Sequence, residues 1–558
     1  MQSTNRATFA AVAALSAGSF TALATDRAQA ADAALAAAGG ATELISVTAN
    51  GLRAAGDSNL RHGGGGLSAD GRYVAFYSFR DNLARGDSNA LPDVFLRDRA
   101  HAATVLVSVA TTGGAGNGWS GLPSISDDGR LVCFMSAASN LVPNDRNDSA
   151  DIFVWNRDTG RTELVSVAPG GAPGDDASLE SALSADGRYV AFTSFASNFA
   201  APDPDRRTHI YLRDREGGIT ERMTVGLGGA LANGYSWEPS VSADGRYVAF
   251  YSNADNLVAE DGGNRSDVFV RDRRNGQTHR VSVSSAGVAG NDYSVQPMIS
   301  ANGRYVVFVS LADNLVAGDT NARIDVFVHD LELRTTERVS VGPGGRQAND
   351  ASYEPSISAD GRYVTFESYA TNLVAGDTNR ELDVFVHDRE ARTTRRVSVG
   401  NGGSQANDAS WTPSLSADGR HVAFRSDASN LAGNDLNTSS DVYVHDLGSS
   451  EQGEAAFTLK PAALDFGAQA IGSRVTQAFW LRNKGTEPLA IRAMELRGVD
   501  AGSFALKHGC STALAVGEAC AIRVTFQPDA GGAKQATLRV TADDGAVRTR
   551  ALAGTAMP

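Results

Sequence analysis

The stretch Ser358-Ala-Asp-Gly-Arg-Tyr-Val-Thr-Phe366 recurs along the chain at a fixed interval and decides the fold. A second motif, typified by Asp325-Val-Phe-Val-His-Asp330, keeps the same interval. Self-similarity at a constant period indicates one supersecondary unit copied in space, so we predict a repeat protein. The central Asp-Gly or Asn-Gly pair of the first motif falls every 58 residues, at Asp70, Asp128, Asp186, Asp244, Asn302, Asp360 and Asp418.

Each repeat is predicted to form four antiparallel strands. In one copy these are Pro355–Ser358, Tyr363–Phe366, Asp383–Val386 and Thr394–Val399, with a tight Asp-Gly hairpin between the first two. The second and third strands are apolar on both faces, so neighbouring repeats must cover both faces. Four-stranded sheets packed between identical neighbours are the blades of a β-propeller.

The two ends of the repeat region complete each other. The last copy stops after Asp441–Asp446 without a fourth strand. A matching strand lies ahead of the first copy, because Thr42-Glu-Leu-Ile-Ser-Val47 corresponds to Thr336-Glu-Arg-Val-Ser-Val341. Pairing these ends closes the ring and removes exposed sheet edges. We therefore predict an all-β chain with a seven-bladed β-propeller over residues 42–447, closed by its N-terminal strand.

The repeat resembles that of TolB-like β-propellers. The shared features are Ser-x-Asp-Gly-Arg-Tyr-Val-Ala-Phe followed by Asp-Val-Phe-Val-x-Asp, in seven copies across about residues 42–447. That repeat occurs in exported scaffolds, in protein-binding propellers and in non-catalytic domains of some peptidases. The resemblance therefore implies a fold and leaves the ligand open.

Residues 457–558 show a different pattern, which predicts an immunoglobulin-like β-sandwich after a linker at 448–456. Cys510 and Cys520 lie close together there and are predicted to form a disulfide in an oxidising compartment. Three segments resemble the Hydin-like, choice-of-anchor D family of immunoglobulin-like domains: 461–467, 481–485 and 517–528. That resemblance implies an interaction or spacer module.

The net charge and the N-terminal segment limit the possible cellular locations and partner classes. The 558 residues carry a formal net charge of −14, which argues against nucleic acid and anionic membrane surfaces. Residues 1–30 read as a signal peptide, with Arg6, an apolar run and the cleavage pattern Ala28-Gln-Ala30, and an Ala/Gly-rich segment follows at 31–41. No later stretch is long and apolar enough to span a bilayer. We expect a monomer exported to the periplasm or the cell exterior.

The loop that enters the third strand carries the pattern Asp-x-Asn-x-x-x-Asp in five repeats. Alternating oxygen ligands resemble the start of calcium-binding loops, so calcium is the one cofactor suggested. The usual bend glycine and later glutamate are missing, and Asx-turns that shape the loop are the other interpretation. The residues are Asp87, Asn89 and Asp93; Asp145, Asn147 and Asp151; Asp319, Asn321 and Asp325; Asp377, Asn379 and Asp383; and Asp435, Asn437 and Asp441.

Departures from sevenfold symmetry mark candidate ligand contacts. A column just before the innermost strand is acidic at Glu180, Glu238 and Glu354. Rings beside carboxylates suit a cationic peptide or a stacked sugar, or the rings wedge between blades. The aromatic residues, all assigned to the loop leading into the innermost strand, are Trp119, Tyr235, Trp237, Tyr293, Tyr353 and Trp411.

Three functional hypotheses follow. The leading one is an exported, non-catalytic binding or scaffold protein whose loop-rich propeller face engages a protein, peptide or glycan of the cell envelope. The second is a polysaccharide lyase or glycoside hydrolase that uses the loop-face carboxylates, although no Gly-x-Ser-x-Gly or His-Glu-x-x-His motif is present. The third is a calcium-stabilised surface protein.

Overall fold

The computed structural model divides the chain into two compact units, residues 1–447 and 448–558. The predicted signal peptide at 1–30, the segment 31–39 and the linker at 448–456 lie outside the described residues. The described residues are 40–48, 57–61, 65–143, 145–200, 206–259, 265–433, 439–447, 457–460, 463–483, 489–510, 513–515, 517–542 and 547–557.

The first unit contains seven four-stranded antiparallel sheets, which confirms the seven-bladed propeller. Blades 1 to 4 are β2–β5 (Ser58–Asn59, Tyr73–Ser78, Asp93–Asp98, Ala103–Leu106), β6–β9 (Ser120–Ile125, Leu131–Ser136, Asp151–Asn156, Arg161–Leu164), β10–β13 (Ser178–Leu183, Tyr189–Ser194, His209–Asp214, Ile219–Arg222) and β14–β17 (Ser236–Val241, Tyr247–Ser252, Asp267–Asp272, Gln277–Arg280). Blades 5 to 7 are β18–β21 (Ser294–Ile299, Tyr305–Ser310, Asp325–Asp330, Thr335–Arg338), β22–β25 (Ser352–Ile357, Tyr363–Ser368, Asp383–Asp388, Thr393–Arg396), and β26–β28 (Ser410–Leu415, His421–Ser426, Asp441–Asp446) with β1 (Thr42–Leu44). The four strands of a blade are called first to fourth in sheet order, and the first strands of adjacent blades contact one another.

The ring closes as predicted. Strand β1 pairs with β28 in antiparallel register, with Thr42 opposite His445 and Leu44 opposite Tyr443. The turns between the first and second strands of blades 7 and 1 also meet, since the Asp418 amide donates to the Ala69 carbonyl at 3.3 Å. The N-terminal strand thus supplies the fourth strand that the last repeat lacks.

The repeated motif fixes the hairpin of each blade. In blade 6, the Ser358 hydroxyl and the Arg362 amide both donate to Asp360 Oδ1, at 2.7 and 2.9 Å. Gly361 supplies the positive φ of 78° that the turn requires. The Arg362 side chain then pairs with Asp388 at the end of the third strand, at 2.7 Å. The same residues therefore recur because each copy needs the same turn.

The core lies between blades. In blade 6, Phe366 and Phe385 stack with ring centroids 6.0 Å apart. Val384 and Val386 of that blade pack in one buried cluster with Phe424 of blade 7. Burial on both faces explains why the second and third strands are apolar throughout.

Two strand boundaries differ from prediction. The first strand of blade 6 starts at Ser352, because its hydroxyl bonds to Ser368 at 2.9 Å and a bulge lets pairing continue through Pro355. The fourth strand ends at Arg396, because the Val399 amide bonds back to Val397 and the chain turns away.

The second unit is a two-sheet sandwich, as predicted. Its core includes three aromatic rings, and Phe504 and Phe526 lie 4.9 Å apart. Cys510 and Cys520 form a disulfide with Cα atoms 5.1 Å apart. The sheets, in strand order, are β29-β31-β35-β33 and β30-β37-β36-β32-β34, with bounds β29 Phe457–Lys460, β30 Ala463–Ala470, β31 Val475–Asn483, β32 Leu489–Arg497, β33 Phe504–His508, β34 Ala513–Leu514, β35 Ala519–Phe526, β36 Gly532–Ala542 and β37 Val547–Met557. Three-residue 3₁₀ turns occur at Leu227–Gly229, Pro343–Gly345 and Ala501–Ser503.

Candidate functional site

The long loops of each blade lie on one face of the propeller. In blade 2 they are residues 137–150 and 165–177, whereas the short turns 126–130 and 157–160 lie on the other face. The first strands begin at the loop-rich face, where the central channel opens. Functional residues on rigid scaffolds favour long loops, so this channel mouth is the candidate site.

A β-bulge interrupts the first strand in blades 2 to 7, and one bulge residue has a positive φ between 35° and 56°. Side chains other than glycine adopt this conformation only where the surroundings hold it. These residues are Leu122, Glu180, Glu238, Gln296, Glu354 and Thr412. The acidic column therefore lies inside the first strand, which corrects its predicted place just before that strand, since pairing resumes beyond each bulge.

Side chains of this column tie adjacent blades together. The Glu238 amide donates to Glu180 Oε2 at 2.9 Å. The Glu354 amide donates to Gln296 Oε1 at 3.1 Å, and Gln296 Nε2 donates to Glu354 Oε1 at 2.5 Å. The N–H groups of the strained residues Glu238 and Glu354 are thus satisfied by the neighbouring blade, and the side chains of Glu180 and Glu354 link adjacent blades along the channel wall.

Arg61 supplies positive charge to this acidic arc. The first strand of blade 1 is only two residues long, β2 (Ser58–Asn59), and Arg61, which lies just beyond it, is only 8% exposed. Burial lowers the pKa of its guanidinium below the ordinary value, and the nearby carboxylates, among them Glu180 and Glu238, oppose that shift. Sequence analysis missed this residue, although the length of the Ser58–Leu67 segment is a visible signal.

A cavity of about 90 Å³ lies in the channel beside Arg61. Arg61 and Glu238 line it together with Met298 and Ile299 from the middle and far half of a first strand. This volume holds a few water molecules and is too small for a drug-sized ligand. A ligand at this site must therefore lie at the channel mouth.

The predicted aromatic residues occupy two structural positions, not one loop. Trp119, Tyr235 and Tyr293 immediately precede the first strand of their blades. Trp237, Tyr353 and Trp411 are the second residues of first strands, because those strands begin earlier than predicted.

The second group is packed against neighbours. Trp237 meets Phe195 of the preceding blade edge to face, with centroids 5.9 Å apart, and the Arg425 guanidinium lies 4.7 Å from the Trp411 ring centre. Burial, followed by the nearby hydroxyls of Tyr293 and Tyr369, raises the pKa of Tyr353. Trp237 therefore wedges between blades 3 and 4, whereas Trp411 packs on a residue of its own blade.

In the first group, Trp119 and Tyr235 face solvent, whereas Tyr293 is half-buried. Trp119 is 39% exposed and Tyr235 44% exposed. Sequence analysis missed two further rings, Phe79 and Tyr369, which are exposed by 55 and 46%. They directly follow the second strands that end at Ser78 and Ser368. Their shared position in the repeat could have identified them from the sequence. Within the described part of the propeller, the exposed aromatic side chains are these four.

The Asp-x-Asn-x-x-x-Asp loops form Asx-turns in the four blades where they are described. Asn321 Oδ1 accepts the Arg323 amide at 2.9 Å, while its Nδ2 donates to Asp325 Oδ2 at 2.9 Å and to the Ala348 carbonyl. The same turn occurs at Asn89, Asn147 and Asn379. Asp435 and Asn437 lie outside the described residues, and Asp441 begins β28.

The Asp residues of these loops differ electrostatically between blades. In blade 1, burial followed by the charges of Asp93 and Asp81 raises the pKa of Asp87 to about 7, and only the Asn89 amide opposes the shift. Burial raises the pKa of Asp93 to about 6. The structure brings the glutamates of different blades together at the channel. The loop aspartates of different blades stay apart, because each loop lies in its own blade.

The comparison with protein families agrees with the assignment of the second unit. Residues 455–555 match the HYDIN/CFA65/VesB-like immunoglobulin-like domain family. The chain is similar to the putative TolB from Agrobacterium tumefaciens, with 17% identity, 59% of this chain and 91% of that chain covered, and a TM-score of 0.33. It is also similar to the WD40 repeats of RRP9, with 10% identity, 73% and 97% covered, and a TM-score of 0.36.

A third similar structure is the ASH/PapD-like domain 7 of human CEP192, with 17% identity, 18% of this chain and 85% of that chain covered, and a TM-score of 0.15. No curated protein matches the chain in sequence. The chain is thus a β-propeller with a C-terminal immunoglobulin-like domain. Within the described ranges, no helix has the length and hydropathy needed to span a bilayer.

Proposed function

We propose that this protein is an exported, non-catalytic binding or scaffold protein that holds its partner at the loop-rich channel mouth. The observation that carries the proposal is the exposure of Phe79, Trp119, Tyr235 and Tyr369 at that mouth. Large rings lose favourable burial when they face water, so four on one face of a rigid scaffold indicate a surface kept for a partner.

The chemistry of the mouth suits a protein, a peptide or a glycan. Aromatic faces stack on sugar rings and on apolar or cationic side chains. The glutamates of the channel already engage the neighbouring blade and lie near Arg61, so we assign the binding energy mainly to the rings. The same engagement of carboxylates supports a non-catalytic role.

The test compares a triple variant, Trp119→Ser, Tyr235→Ser and Tyr369→Ser, with the full-length protein on a glycan array and a displayed peptide library. Leu333→Ser is the matched control, because Leu333 is 66% exposed in the turn between the third and fourth strands, on the opposite face. We expect the triple variant to lose at least about tenfold in affinity, since hot-spot rings contribute more than 1.4 kcal/mol together. Equal binding by both variants would remove this face from consideration. Polysaccharide turnover that Glu238→Gln abolishes would indicate an enzyme instead.

Export is the second part of the proposal. The segment 1–30 has the order of charge, apolar run and small-residue cleavage pattern of a signal peptide, and a disulfide joins Cys510 and Cys520. Expression in a bacterial host followed by N-terminal sequencing should give a mature chain that starts at Ala31 in the periplasm or medium. An intact N-terminus confined to the cytosol would contradict export.

A further inference from the structure

A buried aspartate begins the third strand in six of the seven blades. Its Oδ1 accepts a hydroxyl that follows the fourth strand, as between Asp325 and Ser340 at 2.6 Å. Such a carboxylate has lost most of its hydration and needs a compensating cation. The six residues are Asp93, Asp151, Asp267, Asp325, Asp383 and Asp441, and blade 3 has His209 instead.

In four blades that cation is an arginine. Arg280 Nη1 lies 3.2 Å from Asp267, and Arg80 Nη1 of blade 1 lies 2.8 Å from Asp441. The remaining two of these four are blades 5 and 6. Arg338 lies 3.5 Å from Asp325 in blade 5, and Arg396 lies 3.5 Å from Asp383 in blade 6.

In blade 5 the same arginine also neutralises the first aspartate of the loop. Arg338 Nη1 lies 3.3 Å from Asp319 Oδ2, so one nitrogen serves both carboxylates. Gln347 Nε2 bridges them as well, at 2.6 Å to Asp319 and 3.1 Å to Asp325. Arg396 and Gln405 repeat this arrangement in blade 6 with Asp377 and Asp383.

Blade 1 has the same two carboxylates without these donors. Leu106 pairs with Phe95 where the arginine pairs with its phenylalanine in blade 5, and Ala115 takes the place of the glutamine. Asp87 is 8% exposed, and both of its carboxylate oxygens are buried without a hydrogen-bond partner among the described atoms. Its neighbour Asp93 has no ion pair with any described residue, although Ser108 and Asn89 donate to it. Two adjacent buried carboxylates therefore lack the positive charge that blades 5 and 6 supply.

We propose that a calcium ion bridges Asp87 and Asp93 in blade 1, where an arginine performs the same task in blades 5 and 6. Carboxylate oxygens are the ligands that a hard divalent cation prefers, and each ionised carboxylate offers about four acceptor positions. No group of three or more His, Cys, Asp or Glu side chains suited to a metal occurs in the described residues, so backbone carbonyls and water complete the coordination. Calcium tolerates such a mixed oxygen shell.

Blade 2 repeats the substitution. Asp145 and Asp151 correspond to the blade 1 pair, and Leu164 and Pro173 occupy the places of the arginine and the glutamine. Asp151 is fully buried and Asp145 is 8% exposed. Asp145, unlike Asp87, is not among the described residues whose buried carboxylate oxygens lack a hydrogen-bond partner, so the calcium proposal is confined to blade 1.

The first experiment uses the full chain after treatment with chelator. Titration with CaCl₂, followed calorimetrically, should show one ion bound per site, and thermal unfolding should shift upward by several degrees at saturating calcium, because a ligand of the folded state stabilises it. MgCl₂ should bind more weakly, since magnesium demands octahedral geometry and releases water reluctantly. No binding at millimolar calcium would overturn the proposal and would indicate that the carboxyls hold a proton instead.

The decisive variants transplant the arrangement of one blade into another. Leu106→Arg with Ala115→Gln gives blade 1 the donors of blade 5 and should remove one bound calcium while the melting temperature without calcium stays equal or rises. The reciprocal change in blade 5, Arg338→Leu with Gln347→Ala, should create one new calcium-dependent site. Unchanged stoichiometry in the blade 1 variant would overturn the assignment, whether or not the blade 5 variant folds.

Discussion

Arg80 of blade 1 and Asp441 of blade 7 form an ion pair of 2.8 Å in which both side chains are completely buried. Arg80 Nη1 also donates to the Ser46 carbonyl at 3.0 Å, and the Ser46 hydroxyl donates to Asp441 at 2.5 Å. Three distant parts of the chain therefore meet at the junction that closes the ring. The equivalent residue in blade 2 is alanine, Ala138, so this arginine belongs to the closure and not to the repeat.

We predict that Arg80→Met destabilises the propeller by about 3 to 5 kcal/mol, because it leaves Asp441 buried without its cation. The double variant Arg80→Met, Asp441→Asn should lose less than the two single variants together, since neither charge then remains. Denaturant unfolding followed by tryptophan fluorescence measures the coupling in a double-mutant cycle.

The matched control for this pair is Arg72→Met. Arg72 and Asp98 lie 2.8 Å apart, but their side chains are 36 and 19% exposed. Solvent screens such a pair, so the loss of stability should be much smaller than the loss in Arg80→Met. Equal losses in Arg80→Met and Arg72→Met would show that burial at the closure adds nothing.

A second prediction concerns acid. His445 Nδ1 lies 2.9 Å from the Thr42 hydroxyl, which itself donates to the Val399 carbonyl, so the imidazole Nδ1–H is the donor. Burial lowers the pKa of His445 to about 4 and that of His329 also to about 4. The unfolded chain therefore binds more protons below about pH 6.5. Stability is complete above that pH and falls as the pH approaches 4, by roughly 3 kcal/mol for each histidine.

The repeat offers a substitution that removes this titration. Arg97 and Arg271 occupy the corresponding third-strand position in other blades, where each donates to a threonine at 3.1 Å. The His329→Arg variant should therefore fold. Its melting temperature should fall less than that of the parent protein when the pH is lowered from 7 to 4.5. His101→Arg is the control, since His101 is 70% exposed. An identical acid profile for all three proteins would contradict the assignment.

The repeats could be predicted because each copy satisfies its own local needs. The turn at Asp360 and the match of Thr42–Val47 to a fourth strand follow from residues near in sequence or aligned by the period. The pairing of Arg80 with Asp441 could not be predicted, because this arginine occurs in one blade only and acts on a blade far away in sequence. A single residue carries no periodic signal.

The candidate site was predicted in part for a related reason. Trp237 was assigned to a loop, because Pro239 argues against a continuing strand and the bulge that accommodates it has no sequence signature on this chain. The exposed rings Phe79 and Tyr369 follow the second strand, a position whose solvent exposure depends on the neighbouring blade. Which rings wedge and which remain exposed is thus a property of the assembled ring.

A third prediction tests the charge balance of the channel. Arg61→Met should destabilise the propeller by about 3 kcal/mol at pH 7, because it removes the positive charge that opposes Glu180, Glu238 and Glu354. Adding Glu238→Gln should recover part of the loss by reducing carboxylate repulsion. A loss that Glu238→Gln does not reduce would mean that Arg61 acts by packing alone.

The last prediction separates the two units of the chain. The disulfide between Cys510 and Cys520 closes a loop with a sequence separation of 10, and replacing both residues by serine should cost the sandwich roughly 2 to 3 kcal/mol by freeing the unfolded chain. Because the two units have separate cores, scanning calorimetry of the full chain should show one transition moving down while the propeller transition stays fixed. Cys133→Ala is the control, since Cys133 is buried in blade 2 at a position where Ala75 and Ala249 occur in other blades. It should leave the sandwich transition unchanged, and a parallel shift of both transitions in the double-serine variant would show that the units unfold together.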